Sequence, residues 1–169
     1  MAHDLFSFDS SVLLVRDVAG DYRPAEAGEV LQAAQRLLGQ QLRGREVLSS
    51  PQVVRDFLRV KLGALGHEVF AVLMLDTQNR LIEYVELFRG TVSQASVYPR
   101  EVVKESLARN AAALVLVHNH PSGVAEPSRA DEHLTQTLKA ALALVDVRVL
   151  DHLIVAGSDV LSFAERGLL

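Results

Sequence analysis

Ala113 to His118 (ALVLVH) is apolar at every position but its last, where a histidine opens the string His118-Asn119-His120-Pro121-Ser122-Gly123. A run this short, apolar on both faces, reads as a strand inside a sheet that is covered on both sides. The chain is thereby restricted to folds in which helices flank a sheet, with the polar string at the end of a buried strand. The remaining sequence supplies those layers. His67 to Leu75 (HEVFAVLML) is a second apolar run of strand length, Asp76 to Arg80 a turn, and Leu81 to Phe88 a strand that completes a hairpin. Pro99 to Asn110 reads as a helix, Asn119 to Pro127 as a loop rich in Pro, Ser and Gly, and Ser128 to about Val145 as a helix. Val147 to Ala156 and Val160 to Phe163 are strands around a Gly157-Ser158-Asp159 turn. Upstream, Ser50 as N-cap and Pro51 at the first helical position start a helix carrying Val53, Val54, Phe57, Leu58 and Leu62.

The order β-β-α-β-α-β-β predicts a mixed α/β (α+β) single domain over 47–169. In front of it, 1–46 is an N-terminal extension, partly helical: Ala25 to Leu42 carries apolar residues at helical spacing, and Leu42 to Glu46 is a polar joint taken as the boundary. Residues 1–23 show no clear pattern.

Composition narrows the function. The 169 residues contain no Cys, which excludes disulfides, thiolate metal sites, iron–sulfur clusters and a cysteine nucleophile. Net charge is −4, aromatics are 5%, and the one basic concentration (Arg43, Arg45, Arg55, Arg59, Lys61) is interrupted by Glu46 and Asp56. These speak against nucleic-acid binding. With no apolar stretch of membrane length and no signal-like start, the expected location is cytoplasmic. Oligomeric state is not legible.

The chemistry concentrates at the polar string. On extended backbone, residues i and i+2 point to one side, so His118 and His120 aim both imidazoles one way. Two imidazoles and a carboxylate leave the fourth tetrahedral position of Zn²⁺ open, the pattern of a catalytic zinc site. Asp131 is the nearest suitable carboxylate, one turn inside the next helix, which the intervening loop can return over the strand end. A chance H-x-H pair is expected about 0.2 times in such a chain, but with Ser and Asp in register the expectation falls to about one in a thousand. Ser128-x-x-Asp131 also fits a capping box, which competes for the same carboxylate; one carboxylate is not expected to do both jobs well. His152, within VLDHLIV, reads either as a hydrogen-bond partner of the metal ligands or as an ordinary sheet histidine.

The spacing His118, His120, Ser128, Asp131, preceded by a Glu, resembles the JAMM (JAB/MPN) metalloproteases. ELFRGT (86–91), SVYPREVVK (96–104), HNHPSG (118–123) and VLDHLIV (149–155) resemble its bacterial RadC-like branch. The resemblance covers roughly 47–169. It implies a JAB/MPN-type curved mixed sheet flanked by helices, with one Zn²⁺ per chain held by His118, His120 and Asp131. It further implies an amide (peptide or isopeptide) hydrolase with Glu86 as general base on a zinc-activated water, Ser128 as an oxyanion donor, and a protein or peptide substrate. Strand periodicity does not choose Glu86: Ile82, Tyr84, Glu86 and Phe88 alternate with Leu81, Glu83, Val85 and Leu87, so each face holds one carboxylate. The family pattern selects Glu86, with Glu83 as the fallback. The first 46 residues contain no helix-hairpin-helix signature, which resembles the short RadC-like proteins of mobile elements. The alternatives are a non-catalytic MPN-type interaction scaffold and a DNA-associated accessory protein.

Overall fold

The computed structural model describes residues 13–43, 46–47, 50–90 and 96–169. Readings above that involve residues 1–12, Gly44, Arg45 or Thr91 lie outside the described residues. The elements are β1 (Leu14–Arg16), β2 (Tyr22–Pro24), α1 (Ala27–Leu42), α2 (Pro51–Leu62), β3 (Val69–Leu75), β4 (Leu81–Arg89), α3 (Pro99–Ala108), β5 (Ala113–Asn119), α4 (Arg129–Ala143), β6 (Arg148–Ala156), β7 (Asp159–Ser162) and α5 (Phe163–Arg166). The β1–β2 hairpin stands apart as its own two-stranded sheet, in a stretch where the sequence showed no pattern. Its strands have three residues each and no buried side chain, so they carry no alternation to read.

The main sheet has the order β4-β3-β5-β6-β7. Only β5 and β6 are parallel; the other neighbours are antiparallel. The fully apolar β3 and β5 lie centrally, and every residue of both is buried. Their alternate residues serve two cores. Ala71, Leu73, Val115 and Val117 face α2 through Phe57, Leu58 and Leu62. Val72, Met74, Leu114 and Leu116 face α3 and α4 through Val102, Leu138 and Leu142. The domain is thus the mixed α/β sandwich expected, with α1 and α2 on one face and α3 and α4 on the other.

The expected joint at 42–46 does not detach α1. Leu42 is 1% exposed within the same core as α2. Arg43 bridges to Leu81 and Glu46 to Arg80 across the backbone. Ser50 holds the N-cap position of α2, but its side chain makes no capping hydrogen bond; Pro51 sets the helix start. At the other end, a Cβ on Gly63 would stand 2.5 Å from the carbonyl oxygen of Gly157, so only glycine lets α2 approach the β6–β7 turn.

Candidate metal centre

The parallel step from β5 to β6 requires a crossover, and α4 is that crossover. It starts at the end of β5 where His118 stands, so its first turn meets the strand end. His118 is buried and His120 sits just beyond the strand, its backbone N–H donating to Val155 of β6 at 2.8 Å. Asp131 lies in the first turn of α4. The structure brings these three together: His118 Nε2 is 2.9 Å from His120 Nε2 and 3.3 Å from Asp131 Oδ1, and His120 Nε2 is 3.6 Å from Asp131 Oδ2. Among the described residues this is the one group of side chains able to hold a metal ion.

Hydrogen-bond counting fixes which nitrogens are free. His120 Nδ1 lies 2.7 Å from the Val124 carbonyl, which can only accept, so Nδ1 carries the proton and Nε2 faces the cluster. Gly123 makes this possible: its φ of +77° closes a turn on His120 and returns Val124 to the ring. Two imidazole nitrogens facing each other at 2.9 Å beside a carboxylate form a donor set that a ring proton or a metal ion can fill. Four ligands about 2.0–2.1 Å from a tetrahedral zinc stand ~3.3 Å from one another. The 2.9 Å between the two ring nitrogens and the 3.3 Å from His118 Nε2 to Asp131 Oδ1 lie close to that value; His120 Nε2 stands 3.6 Å from the other oxygen, Oδ2. A set of two imidazoles and one carboxylate also favours zinc over magnesium or calcium, which take oxygen donors.

Asp131 closes the capping box and still faces the two imidazoles. Its Oδ2 accepts from the Ser128 backbone N–H at 2.7 Å and the Ser128 hydroxyl at 2.6 Å, closing the capping box. Its Oδ1 is left for the cluster. Burial works to raise the Asp131 pKa. The His118 and His120 rings and the Ser128 hydroxyl beside it overcome that and hold the carboxyl well below the usual carboxylate range. The same contact with Asp131 pushes His120 above its ordinary value, against the effect of burial. The Ser128 hydroxyl, expected at an oxyanion, here gives its proton to Asp131 and so orients that carboxylate.

Glu86 is not at this site. It lies on the α2 face of the sheet, opposite Ala71, with Lys61 Nζ 3.4 Å and Arg89 Nη2 3.2 Å away. The physical reason is a pair of β-bulges. Phe88 pairs with Phe70 but Glu86 with Ala71, which leaves Leu87 extra; Glu83 pairs with Met74 but Leu81 with Leu75, which leaves Ile82 extra. Each bulge flips the alternation, so Phe88 packs on the α3/α4 side while Tyr84 and Glu86 stay on the other. The fallback, Glu83, pairs with Arg109 at 2.6 Å.

The carboxylate that lines the metal cleft is Glu68, immediately before β3. β3 runs antiparallel to β5 with Phe70 opposite His118, the last pair of that ladder; Glu68, two residues before Phe70, shares the cleft with His120, and its charge helps to raise the pKa of that ring. The cleft holds about 640 Å³ and is walled by Glu68, Phe70, Tyr98, Pro121, Ser128 and Leu134 around the cluster. Sequence reasoning also passed over Asn119. Buried between the two histidines, it accepts from Val69 N–H at 2.8 Å and donates to the His67 carbonyl at 3.0 Å, gripping the backbone on either side of Glu68. The readable signal for Glu68 was its place as the lone carboxylate at the head of HEVFAVLML, with Phe70 and Val72 at the same parity.

Fold and site together define an α/β domain with a His-His-Asp group able to hold a metal ion, set at the end of a central strand and the start of a crossover helix. The chain matches the RadC-like JAB domain over residues 48–168 and belongs to that family. It is 65% identical over 150 residues to a UPF0758 protein of Leptothrix cholodnii, covering 89% of this chain and 68% of that one. A UPF0758 protein of Methylibium petroleiphilum shows the same identity and coverage. One of Aromatoleum aromaticum is 63% identical over 146 residues, 86% of this chain and 65% of that one. The chain thus spans about two thirds of these relatives, and the 150-residue alignments reach into its N-terminal extension.

Proposed function

We propose that this domain is a zinc-dependent hydrolase of amide bonds in peptides or isopeptides. The observation that supports it is the convergence of two imidazole nitrogens and a carboxylate oxygen in an open cleft that also carries Glu68. His118 Nε2, His120 Nε2 and Asp131 Oδ1 would hold one zinc ion per chain. Bound there, zinc supplies Lewis acidity, polarising a carbonyl and lowering the pKa of water toward ~7. The chain's own groups supply the rest. Glu68, in the same cleft, takes a proton from the attacking water and returns it to the leaving amine nitrogen. Asn119 fixes the backbone that carries Glu68, and Ser128 fixes the carboxylate of Asp131. Phe70, Tyr98 and Leu134 give the cleft an apolar wall against which a substrate chain lies away from water. The residues hold protons and orient donors in advance, which is where most of the rate comes from in sites of this kind.

Elemental mass spectrometry of protein purified without chelator tests the metal, and a panel of quenched peptide and isopeptide substrates tests the chemistry. About one zinc per chain is expected, lost in a His118→Ala/His120→Ala variant, with turnover that chelator removes and zinc restores. Absence of metal after zinc loading refutes the reading. Metal without turnover on any panel member favours the interaction scaffold instead.

A further inference from the structure

The His118 ring has a second partner that the proposed hydrolysis does not use. Its Nδ1 lies 2.8 Å from Nε2 of His152 on β6, and His152 Nδ1 lies 2.6 Å from the Thr135 hydroxyl on α4. That hydroxyl lies 2.6 Å from the backbone carbonyl of Asp131. His152 and Thr135 are fully buried. We infer that Thr135 and His152 form a hydrogen-bond relay that locks His118 in the tautomer whose Nε2 faces the metal position, making both of them positioning residues for the metal.

The proton count leaves one direction. A carbonyl only accepts, so the Thr135 hydroxyl must donate to Asp131, and its single proton is then spent. The contact from Thr135 to His152 therefore takes its proton from His152 Nδ1. The His152 ring is fully buried and its hydrogen-bond partners are a ring nitrogen and a hydroxyl, with no carboxylate to pair a charge, so with Nδ1 protonated its Nε2 is a bare acceptor. It must accept from His118 Nδ1–H, and neutral His118 then has its lone pair on Nε2, 3.3 Å from Asp131 Oδ1. The relay leaves one member of the cluster, His118, and ends on the backbone of another, Asp131. It joins β5, β6 and α4, so the two donors move together or not at all. His120 reaches the same tautomer separately through Val124. Loss of such a supporting contact weakens metal binding by about 10–100-fold in known sites.

The inference rests on the metal reading, and its test separates the two. Zinc affinity is measured by competition with a chromophoric chelator for the whole chain and for Thr135→Val, Thr135→Ser and His152→Phe. Thr135→Val keeps the shape and removes the hydroxyl; Thr135→Ser keeps the hydroxyl. The expected result is a drop of about 10–100-fold for Thr135→Val and His152→Phe, with Thr135→Ser close to the unmodified chain. Unchanged affinity in a folded Thr135→Val variant overturns the relay. Nitrogen NMR of the zinc-free protein gives a readout that needs no variant and no metal. His118 and His152 are both expected as Nδ1–H tautomers, and His118 found as Nε2–H overturns the inference even if every variant fails to fold. Zinc binding without hydrolysis would sink the hydrolase reading and leave the relay standing.

Discussion

Replacing Glu68 by Gln and Glu86 by Gln should have opposite consequences, although both remove one charge from a partly buried carboxylate of the same hairpin. Glu86 is 22% exposed and faces Lys61 at 3.4 Å and Arg89 at 3.2 Å, the latter 71% exposed. Ion pairs at such positions are each worth about 0.2–1 kcal/mol, so Glu86→Gln is expected to cost about 1 kcal/mol of stability. It leaves the cleft untouched on the far side of the sheet, and turnover should stay within a factor of two or so, on the order of measurement scatter. Glu68 lines the same cleft as His120. Glu68→Gln keeps shape and hydrogen-bond capacity but cannot accept a proton, and the loss expected for a missing general base is about 10²–10⁴-fold in kcat. The zinc-binding donors are unchanged, so metal content should be unchanged in both variants. The assay is steady-state hydrolysis of whichever panel substrate is turned over, with zinc measured on the same samples and urea unfolding for stability. The assignment is refuted if Glu86→Gln abolishes turnover with zinc retained, or if Glu68→Gln keeps full activity.

Four further outcomes are expected. Asn119→Ala deprives Val69 N–H and the His67 carbonyl of their buried partner; each unsatisfied group costs about 1–3 kcal/mol, and a change under about 0.5 kcal/mol in urea unfolding would contradict the grip described. Leu42→Ala empties a site that is 1% exposed and should cost about 2–5 kcal/mol, whereas a freely hinged α1 would cost almost nothing. The zinc-free domain should be most stable near pH 6.5. His120 is raised above 6.5 in the folded state, so its contribution is present below that value and lost as pH climbs through the folded pKa. His152 is depressed below 6.5, so its burial costs stability as pH falls and the unfolded state takes up the proton. Zinc affinity should rise across the upper half of the same range, because binding needs both imidazoles deprotonated. Urea midpoints in chelator from about pH 5 to about pH 8 test this, and a monotonic profile would count against it.

Much of the fold was legible because it is written in long apolar runs. The sheet strands from Val69 onward and all four longer helices fall within a few residues of their sequence readings. His118, His120 and Asp131 were legible because a strand's i, i+2 parity and a short crossover loop bring them together with no other contact needed. Glu68, Asn119 and Thr135 were not. Glu68 meets the cleft only through the register of β3 against β5, Asn119 acts on backbone fifty residues away, and Thr135 reaches His152 only after α4 docks on β6. None of these leaves a periodic trace along the chain.

The bulges decide the chemistry more than the alternation does. Two of them in β4 turn Glu86 away from the metal cleft. A third, in β6, turns His152 toward it: Leu114 pairs with Val149 and Val115 with Asp151, leaving Leu150 extra, so His152 aligns with Leu116. Had β6 continued without that extra residue, Asp151 would lie beside Leu116 and His152 would face the α2 side. With the bulge, His152 sits one pleat below His118 on the neighbouring strand, which is where a ring must be to bridge His118 Nδ1 and the hydroxyl of Thr135. Thr135 in turn stands one helical turn after Asp131, on the same face of α4. Three elements of one crossover unit therefore offer their polar groups at matching levels, and a single inserted residue, Leu150, selects which of two adjacent titratable side chains, Asp151 or His152, stands beside His118.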